Sequence, residues 1–117
     1  MAAGNYDFTI EQGVDKNLTL TFFEDDGVTP IDLTGIDFRM QLRLTVKSLG
    51  VLDDLTVSNG RINDTDAATG VIVIVFPSSK TTVYNFDTCV YDLESVNGSL
   101  VSREMEGEIT LSREVTR

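Results

Sequence analysis

Three pairs of carboxylates stand close enough in the chain to suggest acid–base work: Asp25 with Asp26, Asp53 with Asp54, and Asp64 with Asp66. Two carboxyl groups flanking one bond can divide the roles of acid and base. All three pairs, however, lie in or beside turn-forming runs, where Asp bonds its own backbone. They read as solvated turn acids. Acyl transfer has no visible parts, because the chain has no His, one Cys and no nucleophile elbow. The stretch "NDTDAATG" offers alternating oxygen ligands at Asn63 or Asp64 and at Asp66. A full calcium loop would extend further and close with a bidentate Glu. None follows at that distance, so a turn is expected there, with a weak calcium site near Asp64 and Asp66 as the open alternative. No catalytic, cofactor-binding or metal residue is therefore assigned, and no enzymatic activity is expected.

The elements that position these residues have a period of two. In "GIDFRMQLRLT", Ile36, Phe38, Met40, Leu42 and Leu44 share one face, and Asp37, Arg39, Gln41 and Arg43 the other. "NLTLTFFE" turns Leu18, Leu20 and Phe22 inward and Thr19, Thr21 and Phe23 outward. "YDFTIEQ" aligns Tyr6, Phe8 and Ile10. "GVIVIVFP" is continuously apolar and predicts a central strand covered on both faces, ended by Pro77. "SSKTTVYNF" is the one helical turn, expected to be short and irregular.

"VLDDLTVSNGRIND" reads as a short strand, a turn at Asn59-Gly60 and a very short strand around Ile62. "DDGVTPIDLTG" is a connection. Its Gly27 can take positive φ, Pro30 presets φ, and Asp32 and Thr34 bond the local backbone. In the last third, Cys89, Tyr91 and Leu93 face inward. A hairpin turn is expected at Asn97-Gly98, followed by Val101, Arg103, Met105, Gly107, Ile109 and Leu111 in one register. Gly107 marks a bulge or a close backbone approach.

About seven to eight short strands with almost no helix predict an all-β, antiparallel two-sheet β-sandwich, immunoglobulin-like, in a single domain spanning residues 1–117. Tyr91, four residues after Asp87, hints at a tyrosine corner. The predicted core is Phe8, Leu20, Phe22, Phe38, Met40, Leu42, Ile72, Ile74, Tyr91, Leu93, Ile109 and Leu111. A domain of this length buries roughly two-thirds of its unfolded surface and needs no staples.

Nine Lys and Arg against nineteen Asp and Glu give a net charge of −10, with the basic residues scattered. That argues against nucleic acid, whose phosphates demand a basic stripe, and against an anionic membrane surface. No apolar run approaches the roughly 20 residues of a bilayer span. "MAAGNYDFTIEQG" is no secretory signal, so the sequons at Asn17, Asn63 and Asn97 are expected to stay unmodified. The lone Cys89 fits a buried small hydrophobe made in a reducing compartment.

Charge does form stripes. Arg39 and Arg43 alternate on one strand, and Glu104, Glu106 and Glu108 on another. Three Glu in alternate positions repel unless cations oppose them, and the two arginines are suited to do so. With Arg113 and Arg117 near the end of the sequence, these residues are the expected assembly contacts.

Four segments carry a resemblance: "FTIEQGVDKNLTLTF", "DDGVTPIDLTGIDFRMQLR", "GVIVIVFP" and "YDLESVNGSLVSREMEGEITLSREVTR". In this order the chain resembles small β-sandwich virion proteins of tailed bacteriophages. Its start is similar to the N-terminal domain of phage baseplate upper proteins, where an acidic-Gly turn and an "I/V-D-L-T-G" segment introduce a strand. The family's long helical or receptor-binding extension has no counterpart in this sequence. The resemblance implies a non-enzymatic structural protein, made in the host bacterial cytoplasm and carried in the virion. It is expected on the tail, baseplate or a fibre in multiple copies, with other virion proteins and copies of itself as partners. The alternatives are a capsid or neck decoration protein, or a free-standing carbohydrate-binding or adhesin-like module. Sugar modules usually present an aromatic platform. This chain has no Trp and three Tyr, which favours assembly.

Overall fold

The alternation of apolar and polar residues becomes nine strands in the computed structural model, which describes residues 4–116. They are β1 (Gly4–Asn5), β2 (Phe8–Glu11), β3 (Lys16–Thr21), β4 (Asp37–Arg43), β5 (Asp53–Thr56), β6 (Ile62–Asn63), β7 (Val71–Phe76), β8 (Thr88–Asn97) and β9 (Leu100–Ser112). A 3-10 turn spans Ala67–Thr69, and one helical turn, α1, spans Ser78–Thr81. A six-stranded sheet runs β1-β9-β8-β4-β5, with β2 also on β9, and a three-stranded sheet runs β3-β7-β6. Together they form a two-sheet sandwich. The order β9-β8-β4-β5 facing β3-β7-β6 is that of the two sheets of a variable-type immunoglobulin domain.

The large sheet is mixed. β1 and β2 run parallel to β9, pairing Gly4 with Met105 and Phe8 with Ile109, while the other neighbouring strands are antiparallel. The first strand breaks at Tyr6-Asp7, which is why the count exceeds seven or eight. At the break a side chain replaces backbone in the ladder, since the Asp7 carboxylate accepts the Glu108 N–H at 2.8 Å. The Tyr6 carbonyl is thereby turned towards Tyr91, whose hydroxyl donates to it. Tyr91 therefore forms no tyrosine corner with the loop before its strand. Asp87 instead accepts Leu111 N–H at its carbonyl, 2.9 Å, and Arg113 at its carboxylate.

Burial follows the predicted faces where strands are central. Phe38, Met40, Leu42, Ile72, Ile74, Tyr91, Leu93 and Ile109 are buried, with Phe8 and Leu111 beside them. Leu20 and Phe22 are only half-buried because β3 is an edge strand. Leu44 is exposed because β4 ends at Arg43, and Tyr6 is exposed at the strand break, stacked on Phe8 with centroids 5.7 Å apart. β7 is central, as expected, but covered on one face only. Ile72, Ile74 and Phe76 are buried, while Val71, Val73 and Val75 are half-buried because no further layer packs outside a three-stranded sheet.

The hairpin between β8 and β9 turns one residue later than predicted. Asn97 pairs with Leu100, so the two turn residues are Gly98 and Ser99. Gly98 has φ 63°, and no non-glycine residue described has positive φ. That sign pattern belongs to a type II′ turn, with Gly at its first central position. The bulge falls not at Gly107 but at Glu104, since Leu93 pairs with Met105 and Glu94 with Arg103. One extra residue inverts the alternation. Arg103 thereby leaves the apolar register and joins the outer face, and exposed Val101 goes with it.

Gly107 marks the close approach. A Cβ there would lie 2.1 Å from the Tyr6 carbonyl oxygen. Gly107→Ala is expected to push β1 and β2 off β9 and cost roughly 1–3 kcal/mol, the range for overpacking. Denaturant titration gives the cost. Faster amide exchange confined to Phe8–Glu11 would locate it.

Candidate functional site on the outer face of the large sheet

The outer face of β4, β8 and β9 carries a trough of about 710 Å³. Across it the ladders align charges in rows. Arg39 stands opposite Glu94, which stands opposite Arg103. In the next row Gln41, Asp92, Glu106 and Asn5 are successive neighbours. Arg39 Nε meets Glu94 Oε1 at 2.7 Å. Asp92 and Glu106 are like charges placed directly opposite, an unfavourable pairing. Arg103 relieves it by reaching both, at 3.5 Å to Asp92 Oδ2 and 3.2 Å to Glu106 Oε2. Burial, reinforced by the charge of Glu94, raises the Asp92 pKa above the usual carboxylate range, with Arg103 opposing. Three arginines (Arg39, Arg43, Arg103) face three carboxylates (Asp92, Glu94, Glu106). On a chain of charge −10 this surface carries no net charge.

The predicted contact residues are partly brought together here. Arg39, Arg43 and Glu106 line the trough. The arginines do not oppose the Glu run, however, because β8 lies between β4 and β9. Glu104 sits on the bulge and accepts Ser95 Oγ at 2.8 Å. Glu108 is exposed on the same strand, and its N–H is held by Asp7. Arg113 is not a free terminal cation. It grips Asp87 at 3.1 Å and Asn85 at 3.3 Å, tying the segment after β9 to the loop before β8. Arg117 lies outside the described residues.

The sequence reading missed an apolar rim. The loop between β4 and β5 exposes Leu44, Val46, Leu49, Val51 and Leu52, with Val46 at 84% and Leu49 at 95%, and Val46 also lines the trough. The loop is held in shape by Arg43, which donates to the carbonyls of Ser48 at 2.9 Å and Leu49 at 2.8 Å. These side chains stand outside the core and form an exposed apolar rim beside the trough. The signal was present in "LTVKSLGVL", where alternation stops but apolar residues continue.

Asp53 is not a turn acid. At the start of β5 it forms a bidentate pair with Arg61, at 3.2 and 2.9 Å, and the two side chains are 9% and 8% exposed. Tyr84 donates its hydroxyl to Asp53, and Arg61 Nε donates to the Val75 carbonyl at 2.8 Å. Burial alone raises the Asp53 pKa. The Arg61 and Tyr84 hydrogen bonds, together with the Arg61 charge, outweigh it and hold the carboxyl below its usual range. Burial and Asp53 push the Tyr84 phenol up. All the groups are satisfied by one another, so this cluster fastens β5, β7 and the segment after α1. Asp26 is a true turn acid. Thr29 Oγ1 at 2.6 Å, then the N–H groups of Thr29 and Val28 at 2.8 Å, lower it to about 2. Asn63 accepts Thr65 N–H at 2.9 Å in the local turn. Cys89 is buried, and burial, helped by Glu108, lifts its thiol to about 12.

The chain is thus a two-sheet β-sandwich of immunoglobulin-like strand order whose large sheet presents a charge-balanced trough with an apolar rim. No protein-family model matches the chain, and comparison with curated proteins finds no match either.

Proposed function

We propose that this chain is a non-enzymatic structural component of a tailed-phage virion, associated with the tail, baseplate or fibres and present in multiple copies. The trough and its rim are its contact with a neighbouring virion protein. The observation that carries the assembly reading is the pairing of exposed Val46 and Leu49 with a charge-neutral trough on a −10 chain. Elsewhere a partner meets the field of a strongly acidic body. Here it meets matched charges and apolar surface to bury. The virion assignment draws its support from the resemblance of the four sequence segments. It requires no cofactor, nucleic acid or membrane.

The test is Val46→Asp/Leu49→Asp. Both side chains are exposed, so stability should stay within about 0.5 kcal/mol per site. Incorporation into purified particles should fall by about tenfold or more, equivalent to roughly 1.4 kcal/mol of contact energy. Incorporation at wild-type copy number would remove the loop as the contact. Absence of the unaltered protein from particles would overturn the virion reading in favour of a free-standing binding module. Its presence only in capsids or necks would move the site of assembly there.

A further inference from the structure

The edges of the two sheets are not equally protected. β5 is short and begins with two aspartates, β6 has two residues, and the N-terminal edge is broken at Tyr6-Asp7. Such features blunt an edge against pairing. β3 has none of them. It runs unbroken over "KNLTLT", without Pro, bulge or acidic residue, in a chain with nineteen acids.

Its hydrogen-bonding phase is fixed by its neighbour. Phe22 N–H donates to the Gly70 carbonyl at 2.8 Å, continuing the register that pairs Leu20 with Ile72. In an antiparallel ladder the residues that exchange bonds alternate. Asn17, Thr19 and Thr21 therefore turn their N–H and C=O groups to the free edge, where none has a protein partner among the described residues. The inward side chains of Leu18 and Leu20 are left half-buried.

We propose that β3 is a seam through which two copies of this chain pair, antiparallel and two-fold about Thr19. In that register Thr19 exchanges both backbone bonds with its counterpart, and Asn17 exchanges both with Thr21 of the second copy. Every outward group on the edge is then satisfied. Leu18 falls opposite Leu20 of the second copy and covers it. Lys16 falls opposite the second copy's Phe22 and diagonal to its Glu24, within reach of a long side chain. No like charges stand opposite one another along the seam. The strand thus matches a copy of itself in hydrogen bonding, apolar contact and charge, and the two small sheets become one continuous sheet. Because the bodies repel, pairing strengthens as salt rises.

The experiment is sedimentation of the purified chain alone, which is independent of the virion reading. The unaltered chain should dimerise with concentration, more readily at 0.5 M than at about 0.05 M salt. Thr19→Lys and Thr19→Glu, at an exposed outward position, should each raise the dissociation constant at least tenfold by placing like charges at the two-fold centre. Mixed in equal amounts, they should pair again. Thr19→Pro, which removes an N–H the fold does not use, should remain monomeric with an unchanged circular dichroism spectrum. A monomeric unaltered chain, variants that dimerise like it, or a mixture that stays monomeric would each overturn the proposal.

Discussion

Arg61→Leu is expected to destabilise the protein by about 3–5 kcal/mol, because it leaves the Asp53 carboxylate buried without its counter-charge. The native pair is satisfied on both sides, with Tyr84 on Asp53 and the Val75 carbonyl on Arg61. Asp53→Leu/Arg61→Leu/Tyr84→Phe removes every polar group at once and should recover most of the loss, since apolar replacement of a whole buried pair is often neutral. Urea titrations of the three proteins separate the effects. The pH dependence has a definite sign. Asp53 has a depressed pKa when folded, so its contribution is complete above the unfolded value near 3.8 and is lost as pH falls through the folded value. In Arg61→Leu the same carboxyl is raised by burial, so the deficit is largest at neutral pH and shrinks on acidification. A deficit that stayed constant from neutral pH to pH 3, or one below about 1 kcal/mol at neutral pH, would rule out the buried-charge account.

Phe38→Ala should cost about 3–5 kcal/mol and Leu42→Ala about 2–5 kcal/mol. Both side chains lie in the middle of the sandwich on β4, which is flanked by β5 and β8. Phe38 also meets Phe22 across the layers, with ring centroids 5.7 Å apart. Neither site can collapse easily, because β8 pairs with the strand at both residues and β5 holds it from Arg39 to Leu42 on the other edge. Leu44→Ala is the matched control. It continues the same sequence alternation but is 55% exposed, so it should change stability by less than about 0.5 kcal/mol. Thermal melts that placed Leu44→Ala with the other two would mean that the inward face continues past Arg43.

The sandwich was legible because period-two alternation states which side of a strand faces inward without reference to its neighbours. Phe38, Met40 and Leu42 needed no partner to be identified. Arg103 shows where that logic ends. Its position in the apolar register is cancelled by one extra residue at Glu104, and a bulge has no fixed composition. Gly107 signals either a bulge or a close approach; the structure selects the close approach, and what approaches is Tyr6, about a hundred residues away. The Arg61–Asp53–Tyr84 cluster spans only 31 residues, yet no local pattern joins its members, which come from a strand start, a turn and the segment after α1. The charge stripes were visible individually. That β8 would stand between them, leaving Arg39 to Glu94, follows from strand order, which alternation does not encode. The apolar rim was overlooked because Leu44 and Leu52 were each assigned to the end of a strand.

The parallel seating of β1 and β2 on β9 also governs the order of events during synthesis. Gly4 pairs with Met105 and Glu11 with Ser112, so the opening strands wait for the last strand described to leave the ribosome. Until then Phe8 and Ile10 have no ladder to join, and β3 with β7 and β4 with β8 can assemble ahead of them. Closing so long a loop is slow and comes late. The nascent chain therefore passes through a stage in which the apolar segment of β2 is loose while other strand pairs can already form, and that exposure lasts until residues 100–112 have emerged from the ribosome.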